Sequence, residues 1–192
     1  MAIDVKALIA DALLRLCEKK PLDTIKVKDI LTESGVSRQA FYNHFRDKYD
    51  LINWIYYTYI MDDFHDVDIK DEIYDHLVQY FSNIQRYHSF MKQALSITGQ
   101  NCLRDFMTEC MKEWDLSWHL HWFSQEGQAV ETVSEKMKFS VWYHSLGNVS
   151  VIINWVMDDM PVSVEEMAQW IMEVKYYRVY EFMKEPSDQA EA

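Results

Sequence analysis

The stretch that most constrains this chain is residues 24–51, TIKVKDILTESGVSRQAFYNHFRDKYDL. Val27, Ile30 and Leu31 fall at helical spacing and give a short helix one apolar side. Gly35 then ends that helix, because glycine takes the left-handed backbone that a tight helix exit needs. Ser37 stands where it can cap a second helix, and nothing from Arg38 to His44 breaks it before Phe45. Two helices around a turn at Gly35-Val36-Ser37 make a helix-turn-helix. Phe41 and Phe45 lie four apart and can pack inward, which leaves Arg38, Gln39, Tyr42 and Asn43 on other faces. Arg and Gln suit base edges in a major groove, whereas Tyr, His and Lys suit phosphate oxygens.

Ile30, Gly35-Val36-Ser37, Phe41-Tyr42, His44-Phe45, Lys48 and Leu51 stand in an order and spacing that carry a further implication. The set resembles the DNA-binding domain of TetR-family transcription regulators. The resemblance implies DNA contacts from Lys26, Ser37, Arg38, Gln39, Ala40, Tyr42, Asn43, His44 and Lys48. The chain also departs from the pattern. Most relatives have Thr or Ser where Lys26 stands, and that hydroxyl caps the first helix of the motif; here Thr24 or Asp23 is the alternative cap. Relatives often have a small residue where Gln39 stands and Thr where Ala40 stands. Those positions point at bases, so no relative's operator can be borrowed.

A net charge of −12 looks wrong for a DNA-binding chain until it is divided. Residues 1–60 carry a net +1 and residues 61–192 a net −13, so DNA is expected to meet only the N-terminal end. A near-neutral head argues for few, well-placed phosphate contacts. Apolar residues make up 49% of the chain, with only four Gly and three Pro, which favours helices over turn-rich sheet. No apolar run approaches the ~18 residues of a membrane span, and Asp4, Lys6 and Asp11 spoil a signal peptide. A cytoplasmic protein without a membrane partner is expected. Cys17, Cys102 and Cys110 have no C-x-x-C spacing and read as reduced core thiols. No phosphate loop, nucleophile elbow, H-E-x-x-H or metal-spaced Cys/His cluster occurs, so no enzyme, metal or cofactor is expected.

Along the chain, Val5, Leu8, Ile9, Ala12, Leu13 and Leu16 repeat at three and four and predict a first helix that covers the helix-turn-helix pair. Asp47 can cap a longer helix with Leu51, Ile55 and Tyr59 on its apolar face, and Lys48 in its first turn. The acids of Asp62-Asp63-Phe64-His65-Asp66-Val67-Asp68 read as a solvated connector more readily than as a metal site. Ile69, Ile73, Leu77, Phe81 and Ile84 mark the next helix, and a shorter one is expected over 89–98. Asn101 is the expected cap of a long helix through Leu103, Phe106, Cys110, Trp114, Leu116 and Leu120. His119 and His121 are two apart and cannot chelate one ion from a regular helix. They read either as polar spots beside a cavity or as ordinary half-buried residues.

A helix over about 131–158 follows, apolar nearly all round in its middle and therefore expected to be buried. Gly147 inside it costs about 1 kcal/mol against Ala, so a close backbone approach is expected there. Met160-Pro161 stops that helix, and Ser163 with Glu166 forms a capping box that opens the last one. The tail from Pro186 is polar and expected to be disordered.

The reading is therefore all-α. It has a three-helix helix-turn-helix head (1–46), a larger helical effector and dimerisation domain (47–185), and a tail (186–192). Family resemblance implies a sequence-specific regulator, most often a repressor, that binds a palindromic double-stranded operator as a homodimer. The effector is left open as a small molecule or a protein. Trp114, Trp118, His119, Trp122, Trp142 and Tyr143 are the candidate effector pocket. Ile152, Trp155, Met167, Trp170, Ile171, Val174 and Tyr177 are the candidate dimer interface. Residues 147–170, with Trp155, Pro161 and Glu165-Glu166, resemble more loosely the C-terminal region of regulators of dihydroxyacetone kinase operons. That resemblance implies an alternative, a transcriptional activator controlled by a kinase-like protein partner.

Overall fold

The computed structural model describes residues 4–62, 73–125 and 133–174, excepting the side chains of 118 and 121–125. Several α-helices begin or end for a reason that local chemistry supplies. Helix α1 (Val5–Cys17) starts where Asp4 Oδ1 accepts the N–H groups of Lys6 and Ala7 at 2.9 and 3.2 Å. Ile9, Ala12, Leu13 and Leu16 are buried as the periodicity predicts, whereas Leu8 is 40% exposed and Ala10 is buried instead.

A 3₁₀ turn (Leu22–Thr24) leads to α2 (Val27–Ser34). Here the expected cap is corrected. Thr24 Oγ1 donates to Pro21 O inside the turn, and Lys26 occupies the cap position. Asp29 Oδ2 reaches back to the Lys26 N–H at 2.9 Å, so a carboxylate three residues on does what a capping hydroxyl does elsewhere. Gly35 (φ 70°) closes α2, its N–H bonding Leu31 O. In α3 (Arg38–His44), Ser37 Oγ accepts from Ala40 N at 3.1 Å. In α4 (Lys48–Ile55), Asp47 Oδ1 accepts from Tyr49 and Asp50. This helix runs on into a π turn (Tyr56–Ile60) in which Met61 N bonds Tyr56 O.

Then come α5 (Ile73–Arg86), α6 (His88–Ser96), α7 (Leu103–Gln125), α8 (Glu135–Met157) and α9 (Val164–Val174). No strand occurs among the described residues, and no described helix is long and apolar enough to cross a membrane. Asn101 does not cap α7 as expected: it holds φ 61°, and Cys102 O accepts the first helical N–H, from Phe106. Asp159 and Met160 (φ 60° and 56°) end α8, Met160 N bonding back to Trp155 O at 2.8 Å. Ser163 and Glu166 form the reciprocal box at the start of α9: Glu166 N donates to Ser163 Oγ and Ser163 N to Glu166 Oε2.

The chain divides into two compact units, Met1–His65 with Ser82–Met107, and Asp66–Phe81 with Thr108–Ala192. In the first, α1 packs on α2, α3, α4 and α6, around Ile9, Leu13, Ile30, Phe41, Leu51 and Ile55. In the second, Phe81 meets Trp155 edge to face at 5.5 Å, and the buried indole N–H of Trp155 donates to Val162 O at 3.0 Å. The expectation that α8 is buried all round needs correcting. Met137, Val141, Val149, Ile152 and Val156 are buried, but Phe139, Trp142, Tyr143, Leu146 and Val151 are exposed. A helix uniformly apolar has two apolar sides, and the core of this chain covers only one of them. No atom outside the helix's own backbone comes within 4 Å of a Cβ built on Gly147, so the expected close approach is not made within this chain. The acidic connector from Asp63 onward, Ile69, Tyr177 and the tail lie outside the described residues.

Candidate nucleic-acid interface

Helix α3 presents its polar face because its two phenylalanines are consumed by the core. Phe41 and Phe45 are 0% and 2% exposed and sit 5.8 Å apart, while Arg38, Gln39, Tyr42, Asn43 and His44 are exposed. Ala40 is half-buried, and Ser37 is exposed with its hydroxyl committed to the cap. Two contacts order this face. Gln39 Nε2 donates to Asn43 Oδ1 at 2.9 Å, and the Arg38 guanidinium lies 5.5 Å from the Tyr42 ring centre. An amide pair and a guanidinium on one exposed helix face make a donor–acceptor array suited to base edges.

The charges behind that face are largely paired. Glu33 accepts from Arg15 (3.0 Å) and Lys19 (3.3 Å), and Asp29 from Lys20 (2.8 Å), tying α1 to α2. Hydrogen bonds from Arg15 and then Lys19 hold Glu33 below the usual carboxylate range, and Lys20 with the Lys26 N–H does the same for Asp29. Lys26 and Lys28 are exposed beside them.

Lys48 stands otherwise than a phosphate contact would. Its ammonium donates to the carbonyls of Leu22 (2.8 Å), Ile25 (2.9 Å) and Asp23 (3.3 Å), which uses all three of its protons inside the protein. Burial lowers its pKa from the ordinary lysine value. Away from the reading face stands a residue that sequence reasoning missed, Gln93 of α6, whose amide bridges the end of α1 and the 3₁₀ turn. Only a fold that brings residues 71 and 76 positions away onto one side chain makes it visible.

The family model of bacterial regulatory proteins of the tetR family matches residues 9–55, from within α1 to the end of α4. A second, the transcriptional regulator C-terminal region of TetR proteins, matches residues 71–175, more than half of the chain. The chain belongs to the TetR family. Two solved structures share the TetR fold with it. The dihydroxyacetone kinase operon activator DhaS has a TM-score of 0.65 at 20% identity, covering 90% of this chain and 94% of its own. A structure described as a TetR-family transcriptional regulator from Syntrophomonas wolfei str. Goettingen has a TM-score of 0.56 at 16% identity, covering 88% and 91%. No curated protein matches the chain in sequence.

In the C-terminal part of this TetR-family chain, the candidate pocket residues whose side chains are described divide between buried and exposed positions. Trp114 is half-buried and His119 is buried, its Nδ1 2.6 Å from Asp115 O. Trp142 and Tyr143 are 51% and 64% exposed on the outer side of α8, where Tyr143 stacks on Phe139. Phe139, Trp142, Tyr143 and Leu146 follow at three- and four-residue spacing along the exposed side of α8, which adjoins the buried side carrying Val141, Ser145, Val149, Ile152 and Val156. The side chains of Trp118 and Trp122 lie outside those described. Asp115, buried and bonded by Ser145 Oγ at 3.4 Å, was missed, although it continues the Leu103, Met107, Met111 spacing. Of the interface candidates, Trp170 and Val174 are exposed and Ile171 half-buried. Ile152, Trp155 and Met167 are buried within the single chain.

Proposed function

We propose that this TetR-family regulator binds a palindromic double-stranded DNA operator as a homodimer, with DNA affinity controlled through its C-terminal part. The functional division runs at residues 1–46 for the DNA-binding head and 47–185 for effector response and dimerisation. The carrying observation is the exposed Arg38, Gln39, Tyr42 and Asn43 face of α3, set up by the burial of Phe41 and Phe45. Lys26, Lys28 and His44 extend this face toward the phosphates. Work in the cytoplasm follows from such a role.

The homodimer is supported by the aromatic face of α8 together with Trp170 and Val174 of α9. Half-exposed Phe139, Trp142 and Tyr143 are costly to leave in water, and Gly147 lies open on that helix where a second backbone can approach. Two-fold symmetry in the protein is then mirrored in the operator. Selection from random duplexes, with ultracentrifugation of the bound and free protein, tests both points. A recovered consensus that lacks two-fold symmetry, or a monomer at micromolar concentration, refutes the dimeric reading.

The second reading is activation under a kinase-like protein partner. It draws on residues 147–170 and on the fold shared with an activator of a dihydroxyacetone kinase operon. A reporter that rises, instead of falling, when the protein is supplied with its selected operator decides for activation.

A further inference from the structure

The turn that opens the helix-turn-helix is held from two sides by side chains that the DNA-reading helix does not contain. From α6, Gln93 Oε1 accepts the Leu22 N–H at 2.7 Å, while Gln93 Nε2 donates to Cys17 O at 3.0 Å. Ser89 Oγ, one turn earlier on α6, accepts from the same amide at 3.3 Å. From α4, Lys48 holds the carbonyls of Leu22, Asp23 and Ile25. Leu22 is 1% exposed and Cys17 4%, so water has poor access to the backbone groups that Gln93 satisfies. Cys17 ends α1 and leaves a carbonyl that no later turn of helix can bond. The amide of Gln93 carries both a donor and an acceptor, and it uses one of each across this gap.

We propose that Gln93 is a positioning residue for DNA binding: it ties the α1–α2 connector to α6, so that the orientation of the head is set from α6. The proposal rests on the DNA-binding reading above. It separates two roles that a buried amide can have. A residue that only satisfies buried backbone supports the head's folding, and its loss weakens every DNA complex alike. A residue that orients the head leaves each reading helix competent, and its loss shows only where two heads must engage together.

The test compares Gln93→Leu with wild type on the selected palindrome and on a single half-site, with amide exchange at Leu22 as the direct readout of the bridge. Gln93→Leu is expected to speed Leu22 exchange and to keep half-site affinity, salt slope and consensus. It is expected to lose about tenfold on the palindrome, within the usual range of site coupling. Equal losses on half-site and palindrome overturn the positioning role, and so does an unchanged palindrome affinity once Leu22 exchange has accelerated. A wild type that selects no sequence, or gains nothing from a second half-site, removes the reading beneath it and the proposal together. Should Gln93→Leu not fold, Gln93→Glu carries the same test. It keeps the acceptor for Leu22 and loses the donor to Cys17, so an intermediate palindrome loss is expected, and none overturns the proposal.

Discussion

Replacing Lys48 by methionine keeps most of the aliphatic stem and removes the ammonium, which makes it the sharpest test of what this residue does. A lysine that meets a phosphate and a lysine that clamps a turn fail in different ways. In the structure three carbonyls lose their donor, and the residues carrying two of them, Leu22 and Ile25, are each 1% exposed. Leaving a buried acceptor without a partner costs about 1–3 kcal/mol. Asp23 is exposed and water can replace its longer bond, so the sum is about 2–6 kcal/mol. For a chain of this size that lowers Tm by about 4–24 °C. The DNA arm follows from counterion release. Each lost phosphate contact flattens the slope of log affinity against log salt by about 0.9. Lys48→Met is expected to lower the urea midpoint and weaken DNA binding with the salt slope unchanged. A slope that falls by about 0.9 with stability intact refutes the clamp and restores the phosphate contact.

Three further outcomes are expected. Arg38→Ala and Gln39→Ala relax sequence preference at about 1–3 kcal/mol per lost bidentate base contact; the same consensus recovered from both variants removes them as readers. Trp142→Glu combined with Trp170→Glu gives a folded monomer in ultracentrifugation, since both side chains are half-exposed in the protomer; an intact dimer rejects that interface. Glu33 titrates below its usual 4.5, so the stability it contributes is present above that value and is lost as pH falls through the lowered one. Glu33→Gln therefore reduces the acid-side fall in the urea midpoint below about pH 4.5, and an unaltered acid limb contradicts the pairing with Arg15 and Lys19.

The head was legible because what shapes it is local. Gly35 as helix exit and Ser37 as cap act within about four residues, as do Asp47 and the Ser163–Glu166 box beyond the head, and Phe41 with Phe45 sets the inward face by spacing alone. Even the mistaken cap of α2 was a local error: Asp29 took over because Lys26 has no oxygen to offer. In α8 the pattern failed for a physical reason. Where every face is apolar, spacing carries no direction, so it could not say that Val141 and Ile152 face the core while Trp142 and Tyr143 face out. In α7 the aromatic residues drew attention from the buried line that Asp115 and His119 continue. Family membership and helix order were thus in the sequence, since both rest on short-range spacing. The roles of Lys48 and Gln93 were not, because Lys48 bonds carbonyls 23 to 26 residues away and Gln93 joins groups 71 and 76 residues away. Tertiary packing alone decided which backbone groups those side chains would find.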